Sequence, residues 1–221
     1  ALRRGDRQRR NAMTGRTILC FGDSNTHGTV ALSGPEEMGR MRRFDPATRW
    51  PGVMAAALGP DDRVIEEGLP GRTTAHDDPV EGAHMNGLAV LPAILGSHRP
   101  LDVVIVMLGT NDCKARFALP ALDIALGAGL LLEAAARLAP EARRLLVAPV
   151  PLIETEFLGE MFAGGADKSR ALAPRMRDEA ARRGAGFTDL AGVATVDPTD
   201  GIHMTAEAHG AIGAHMAGAI A

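Results

Sequence analysis

Five apolar runs of strand length recur along the chain: TILCF (17–21), RVIEE (63–67), DVVIVML (102–108), RLLVAPV (144–150) and the weaker GFTDL (186–190). Between and after them lie segments with helical spacing at 47–58, 86–97, 119–139, 167–184 and 204–220, many rich in Ala and Leu, with Gly or Pro at their ends. Strand then helix, repeated, predicts a parallel sheet, because parallel neighbours need a crossover connection. Continuous Val/Ile/Leu runs such as VVIVML suit strands covered on both faces. The expected fold class is therefore α/β, a three-layer α/β/α sandwich.

A length of 221 residues suits one such domain, which we place at 13–221. Residues 1–16 carry six Arg against one Asp, a balance of +5, so a net charge of −3 leaves −8 for the remainder. That remainder is a poor match for nucleic acid. The leader ALRRGDRQRRNA (1–12) has no apolar run, so it reads as a disordered tail or a start-site artefact ahead of Met13 rather than a signal peptide. A basic arm touching nucleic acid is its functional alternative. No stretch approaches the roughly 20 apolar residues that cross a bilayer, so no membrane partner is expected. Cys20 and Cys113 form neither a disulfide framework nor a metal-spaced cluster, and both read as buried thiols of a reducing, cytoplasmic protein. Ten Met read as core packing.

In parallel α/β sheets ligands bind beyond the carboxyl ends of the strands, and there the suggestive residues gather. After the first run, Gly22-Asp23-Ser24-Asn25-Thr26 sets a serine at a sharp turn into a helix, where amide N–H groups are free. After the second, Gly68-Leu69-Pro70-Gly71-Arg72 offers glycines whose backbone can approach a ligand and present an N–H to an oxyanion. After the third, Gly109-Thr110-Asn111-Asp112 could aim the Asn111 amide at the same oxygen. Near the C-terminus, Asp200-Gly201-Ile202-His203 sets an acid three residues before a histidine, a spacing that lets the carboxylate fix the imidazole tautomer and leaves Nε2 to deprotonate Ser24. Each segment alone has a plainer reading, as a helix cap, a Pro-Gly turn, an Asx turn or a loop histidine beside a capping Asp. Together they supply a nucleophile, a base with its orienter, and oxyanion donors.

The blocks GDSN, GLPGRT, GTND and DGIH resemble the four signatures of the SGNH hydrolases, also called GDSL esterases and lipases, from about Arg16 to the C-terminus. The resemblance implies a flavodoxin-like five-stranded sheet of order 2-1-3-4-5 and a catalytic triad of Ser24, Asp200 and His203. It also implies an oxyanion hole built from the Ser24 N–H, the Gly71 N–H and the Asn111 side chain. IEEGLPGRTTAHDDP, LDVVIVMLGTNDCK, ALDIALG and TDGIHMT are similar to the small bacterial arylesterase and acyltransferase branch, whose members act on short acyl esters and pass acyl groups to alcohols or peroxide. That branch reads GDSLTWGW where this chain has Asn25, His27 and Thr29 in place of Leu and two Trp, which implies a wider or more polar pocket. Relatives build oligomers through loops near 137–145 and the pocket; that connection is shorter here, so a homo-oligomer is left open.

The expected reaction is acyl transfer in two steps on a small ester, with no metal or cofactor. Asn25, His27, Thr110, Phe157 and Phe162 are the expected substrate-binding residues. His209 and His215 lie on a helical pattern and are expected on its solvated face. Three readings compete: a carbohydrate acetylesterase of the same mechanism; a metal-dependent phosphoesterase using Asp23, Asn111, Asp112 and His203; and a non-catalytic carbohydrate- or nucleotide-binding module.

Overall fold

The computed structural model describes residues 15–40 and 42–221, so the leader expected at 1–12 lies outside the described residues. The strands are β1 (Thr17–Gly22), β2 (Arg63–Gly68), β3 (Val103–Met107), β4 (Arg143–Ala148) and β5 (Gly186–Asp189). All pair in parallel, in the order β2-β1-β3-β4-β5. This is the flavodoxin-like order, and every strand falls on one of the five apolar runs.

The helices are α1 (Ser24–His27), α2 (Trp50–Leu58), α3 (Gly87–His98), α4 (Ala121–Leu138), α5 (Gly165–Arg170), α6 (Leu172–Arg182) and α7 (Ala206–Ile220). Alternate residues of a strand point to opposite faces, and β1 shows what that does. Leu19 and Phe21 pack with Leu91 and Leu95 of α3, Ile124 and Leu131 of α4 and Met176 of α6. Ile18 and Cys20 pack on the other face with Trp50 and Met54 of α2 and Ile212 and Met216 of α7. Both faces of the sheet are thus buried, as the unbroken apolar runs require. Each large aliphatic side chain so placed stabilises the fold by roughly 2 kcal/mol.

The segment 167–184, expected as one helix, is two, broken at Ala171. Pro174 has no N–H for the carbonyl of Arg170, and its ring crowds that carbonyl, so the helix cannot run through. His209 departs from expectation: it is fully buried rather than solvated. It lies on the stripe of α7 that faces α2, where Trp50 N donates to its Nδ1 at 3.3 Å and the Phe44 ring meets it edge-on at 5.4 Å. Burial pushes its pKa down to about 4, so the ring is neutral. His215 is half-buried and bonds Thr188 across the sheet edge at 2.7 Å.

Strand order reverses at β1, with β2 on one side and β3 on the other, and a crevice opens beyond their carboxyl ends. The loops after these three strands carry Ser24, Gly71 and Asn111.

Candidate active site

The turn after β1 begins with Gly22, where a Cβ would stand 2.0 Å from Thr26 Oγ1, so only glycine lets the chain fold back this tightly. Asp23 caps α1 by accepting from Asn25 N at 2.9 Å. The cap and the candidate nucleophile are therefore neighbours rather than alternatives. Ser24 opens the helix with 5% of its surface exposed, all that a hydroxyl at the base of a cavity needs. Burial pushes the Asp23 carboxyl up to about 6, against the opposing pull of the Asn25 N–H and the charges of His203 and Arg72.

After β2, Gly71 has φ +87°, and a Cβ there would lie 2.3 Å from Glu81 Oε2, so conformation and space both demand glycine. The loop is fastened from two directions. Arg72 donates to the carbonyls of Gly22 and Glu67 and stacks on Phe21, its guanidinium 4.2 Å from the ring centre. Burial brings its pKa down to about 10. From the other side, fully buried Asp112 accepts from Thr74 N at 3.0 Å and Thr74 Oγ1 at 2.6 Å. It also meets His76 Nδ1 at 3.3 Å, a contact that raises the His76 pKa. Asn111 donates through Nδ2 to Arg72 O at 3.1 Å, with Asp23 Oδ2 at 3.5 Å. The loops after β1, β2 and β3 are thus joined by buried hydrogen bonds.

The loop before α7 brings Asp200 to His203, with 2.6 Å between Oδ2 and Nδ1. The carboxylate also accepts from the amides of Leu32 at 2.9 Å and of Ile202 and His203 at 3.0 Å. Burial alone would raise this pKa; the hydrogen bond and charge of His203 and the amides of His203 and Leu32 outweigh it and hold the carboxyl at about 2. Ser24 and His203 line one cavity of about 480 Å³ together with Gly71 and Asn111. Ser24 Oγ makes no hydrogen bond among the described residues, and neither the Ser24 N–H nor the Gly71 N–H donates to any of them.

Of the five side chains expected to bind substrate, only Phe162 lines this cavity. Asn25 is turned inward, where Nδ2 donates to Ile202 O at 3.1 Å and ties the serine turn to the histidine loop. His27 folds back on Thr29 Oγ1 at 3.0 Å, and burial with the Arg43 and Arg49 charges lowers its pKa to about 4. Thr110 is buried, and Phe157 packs on the core while its neighbour Leu158 faces the cavity. The walls instead include Met38, Met85 and Met161, so these methionines are not all core packing. Glu81, Lys114 and Arg116 also line it and had no sequence signal beyond the nearness of Lys114 to GTND. Both cysteines are buried as expected, and burial lifts the Cys113 thiol to about 12. Among the described residues no three His, Cys, Asp or Glu side chains gather as a ligand set, and no helix is long and apolar enough to cross a membrane.

A flavodoxin-like sheet with a serine turn, a His–Asp pair and free amides around one cavity at its switch point defines an SGNH-type hydrolase fold. Residues 20–211 match the model of the GDSL-like lipase/acylhydrolase family, and the chain belongs to that family. It is similar to the aryl esterase of M. smegmatis, with 39% identity and a TM-score of 0.86 over 93% of this chain and 98% of that one. It is equally similar to a carbohydrate acetylesterase from Sinorhizobium meliloti, with 38% identity, a TM-score of 0.86 and the same coverage. No curated protein sequence matches the chain. By family and neighbours it is a carboxylic ester hydrolase.

Proposed function

We propose that the chain cleaves short-chain acyl esters through an acyl-enzyme on Ser24, with His203 as the base and Asp200 as its orienter. The observation that carries this reading is the set of unspent donors around Ser24. The Ser24 and Gly71 amides have no partner among the described residues, and one Asn111 N–H has only Asp23 at 3.5 Å, the weak limit of a hydrogen bond. Backbone groups in such a place are normally paired, so free amides facing a cavity are ready for a ligand oxygen.

In the first step His203 Nε2 takes the Ser24 proton as Oγ bonds to the ester carbon, and the carbonyl oxygen becomes an oxyanion on the three donors. Collapse expels the alcohol, which leaves with the proton from His203. In the second step His203 deprotonates water, the new oxygen attacks the acyl carbon, and the acid leaves as Ser24 recovers its proton. An alcohol entering the cavity takes the same path and yields a new ester. The apolar wall of Leu158, Met161, Phe162 and Ile202 favours that acceptor, so acyl transfer is part of the proposal. Asp200, held ionised to about pH 2, keeps Nδ1 protonated and supports the imidazolium in both steps. The resting structure leaves Ser24 and His203 without a direct hydrogen bond, a contact that often tightens only in the substrate complex.

Hydrolysis of p-nitrophenyl acetate tests this. Ser24→Ala and His203→Ala should each lose at least roughly a thousandfold in kcat, and EDTA should leave the wild-type rate unchanged. Wild-type turnover in Ser24→Ala would remove the serine from the mechanism, and chelator-sensitive turnover would revive the metal-dependent reading.

A further inference from the structure

The cavity wall beside Gly71 is charged. Asp78, almost fully buried, accepts from Val80 N at 2.8 Å and Glu81 N at 3.0 Å and so fixes the loop that carries Glu81. Glu81 Oε1 then accepts from Lys114 Nζ at 2.5 Å and Arg116 NH2 at 2.7 Å, and Asp78 Oδ2 stands 3.9 and 3.5 Å from the same two cations. Two cations and two carboxylates leave the group without net charge, so it neither repels a developing oxyanion nor attracts a charged substrate strongly. Lys114 is 3% exposed, and an ion pair this deep is a weak source of stability compared with apolar packing.

What the group does accomplish is to aim one oxygen. Both cations bind Oε1, while Oε2 accepts no hydrogen bond among the described residues. The Glu81 side chain keeps 32% of its surface, lines the cavity, and points Oε2 at Gly71, where a Cβ would lie 2.3 Å away. A carboxylate oxygen with free lone pairs therefore sits beside one of the donors around the reacting carbonyl. The partner that suits it is a neutral O–H, since the locally balanced charge gives a cation little advantage and the rest of the wall, with Met85, Leu158, Met161 and Phe162, is largely apolar.

We propose that Glu81 is a specificity-determining residue that accepts a hydrogen bond from a free hydroxyl of the ester substrate, with Lys114 and Arg116 holding its other oxygen. This rests on the reading of Ser24, Gly71 and Asn111 as the reacting centre. The hydroxyl can belong to the alcohol half, as in a polyol monoester, or to the acyl half, as in a hydroxy acid ester.

The test compares kcat/KM for ethyl acetate, glycerol monoacetate and ethyl lactate in the wild type and in Glu81→Gln, which keeps an oxygen for the two cations but turns a donor toward the cavity. The ratio of a hydroxylated ester to ethyl acetate should fall about tenfold in the variant, the worth of a hydrogen bond to a charged group. The ester whose ratio falls identifies the half that Glu81 reads. Glu81→Asp, which keeps the charge and withdraws the acceptor, should lower the same ratio and serves if the amide variant does not fold. Unchanged ratios for both hydroxylated esters would overturn the assignment. Ser24→Ala is run on all three esters: if it is inactive while the ratios stay fixed, only Glu81 is wrong, whereas activity without Ser24 would sink the catalytic reading itself.

Discussion

The floor and the mouth of the cavity are built on different principles. On the floor, side chains are locked by buried hydrogen bonds: Asp23 to Asn25, Asp112 to Thr74, Asn111 to Arg72, Asp200 to His203 and Leu32. At the mouth, Val80 is 73% exposed and Met38 50%, and both come from connections between secondary elements. A reacting centre must be held to a fraction of an ångström, and strand ends cross-linked by satisfied carboxylates do that. Substrate choice needs only a surface of suitable shape, so it can rest on loops. Changes to the floor should therefore alter rate, and changes to the mouth should alter preference.

The largest break should come from Asp200→Asn. The amide fills the same space but reverses the polarity facing His203 Nδ1, so kcat should drop on the order of 10⁴-fold. Because Leu32 N, Ile202 N and His203 N also donate to this buried carboxylate, the melting temperature should fall as well. A drop of only a few-fold in steady-state kinetics would show that the imidazole is oriented by something else.

Asn111→Ala should come next, with kcat lower by roughly a hundredfold or more and KM nearly unchanged, as expected for a donor that acts mainly in the transition state. If KM rose instead at constant kcat, Asn111 would belong with the mouth.

Asp23→Asn probes the floor through stability. The Asp23 carboxyl titrates near pH 6 when folded and near roughly pH 3.9 when unfolded, so folding holds the proton more tightly. The wild type therefore loses stability as pH rises from about 4 to about 6, and the loss persists above. Asn keeps the cap and has no charge to bury. It should gain up to about 3 kcal/mol at pH 8 and nothing at pH 4, read from denaturant melts at both pH values. An equal gain at both would mean that folding leaves the Asp23 pKa where it is in the unfolded chain.

The smallest effect on turnover is expected on the apolar wall, where Phe162 lines the cavity from a buried position. Phe162→Ala enlarges the wall, and the ratio of kcat/KM for p-nitrophenyl octanoate to that for the acetate should rise several-fold, with acetate kcat close to wild type. A collapse of acetate turnover would place Phe162 on the floor.

The same division explains what was legible in the sequence. Ser24, Gly71, Asn111, Asp200 and His203 occupy strand ends or a tight turn, where residue type and spacing already imply position; four of them line one cavity, and Asp200 is buried behind it on His203. The inner strands β1, β3 and β4 were legible because strands buried on both faces are apolar runs, whereas the half-buried edge strands β2 and β5 left a weaker signal. Asn25 and His27 were not. Their places in α1 were clear, yet a four-residue helix gives no periodicity to say which side chain turns inward, and Ile202 O and Thr29 Oγ1 decide it. Glu81, Lys114 and Arg116 were hidden for a related reason, since a long-range ion cluster leaves no mark in local spacing. His209 reads like a surface residue in an Ala-rich helix, and only the packing of α7 on α2 shows that it is buried.

Reaction of Ser24 with a fluorophosphonate tests the central claim most directly, through the intact mass of the treated protein and a map of the modified peptide. One adduct per chain on Ser24, formed in step with loss of esterase activity and absent from His203→Ala on the same timescale, is the predicted result. Full inactivation with the adduct on another residue, or an unmodified Ser24 in an inactivated enzyme, would contradict it.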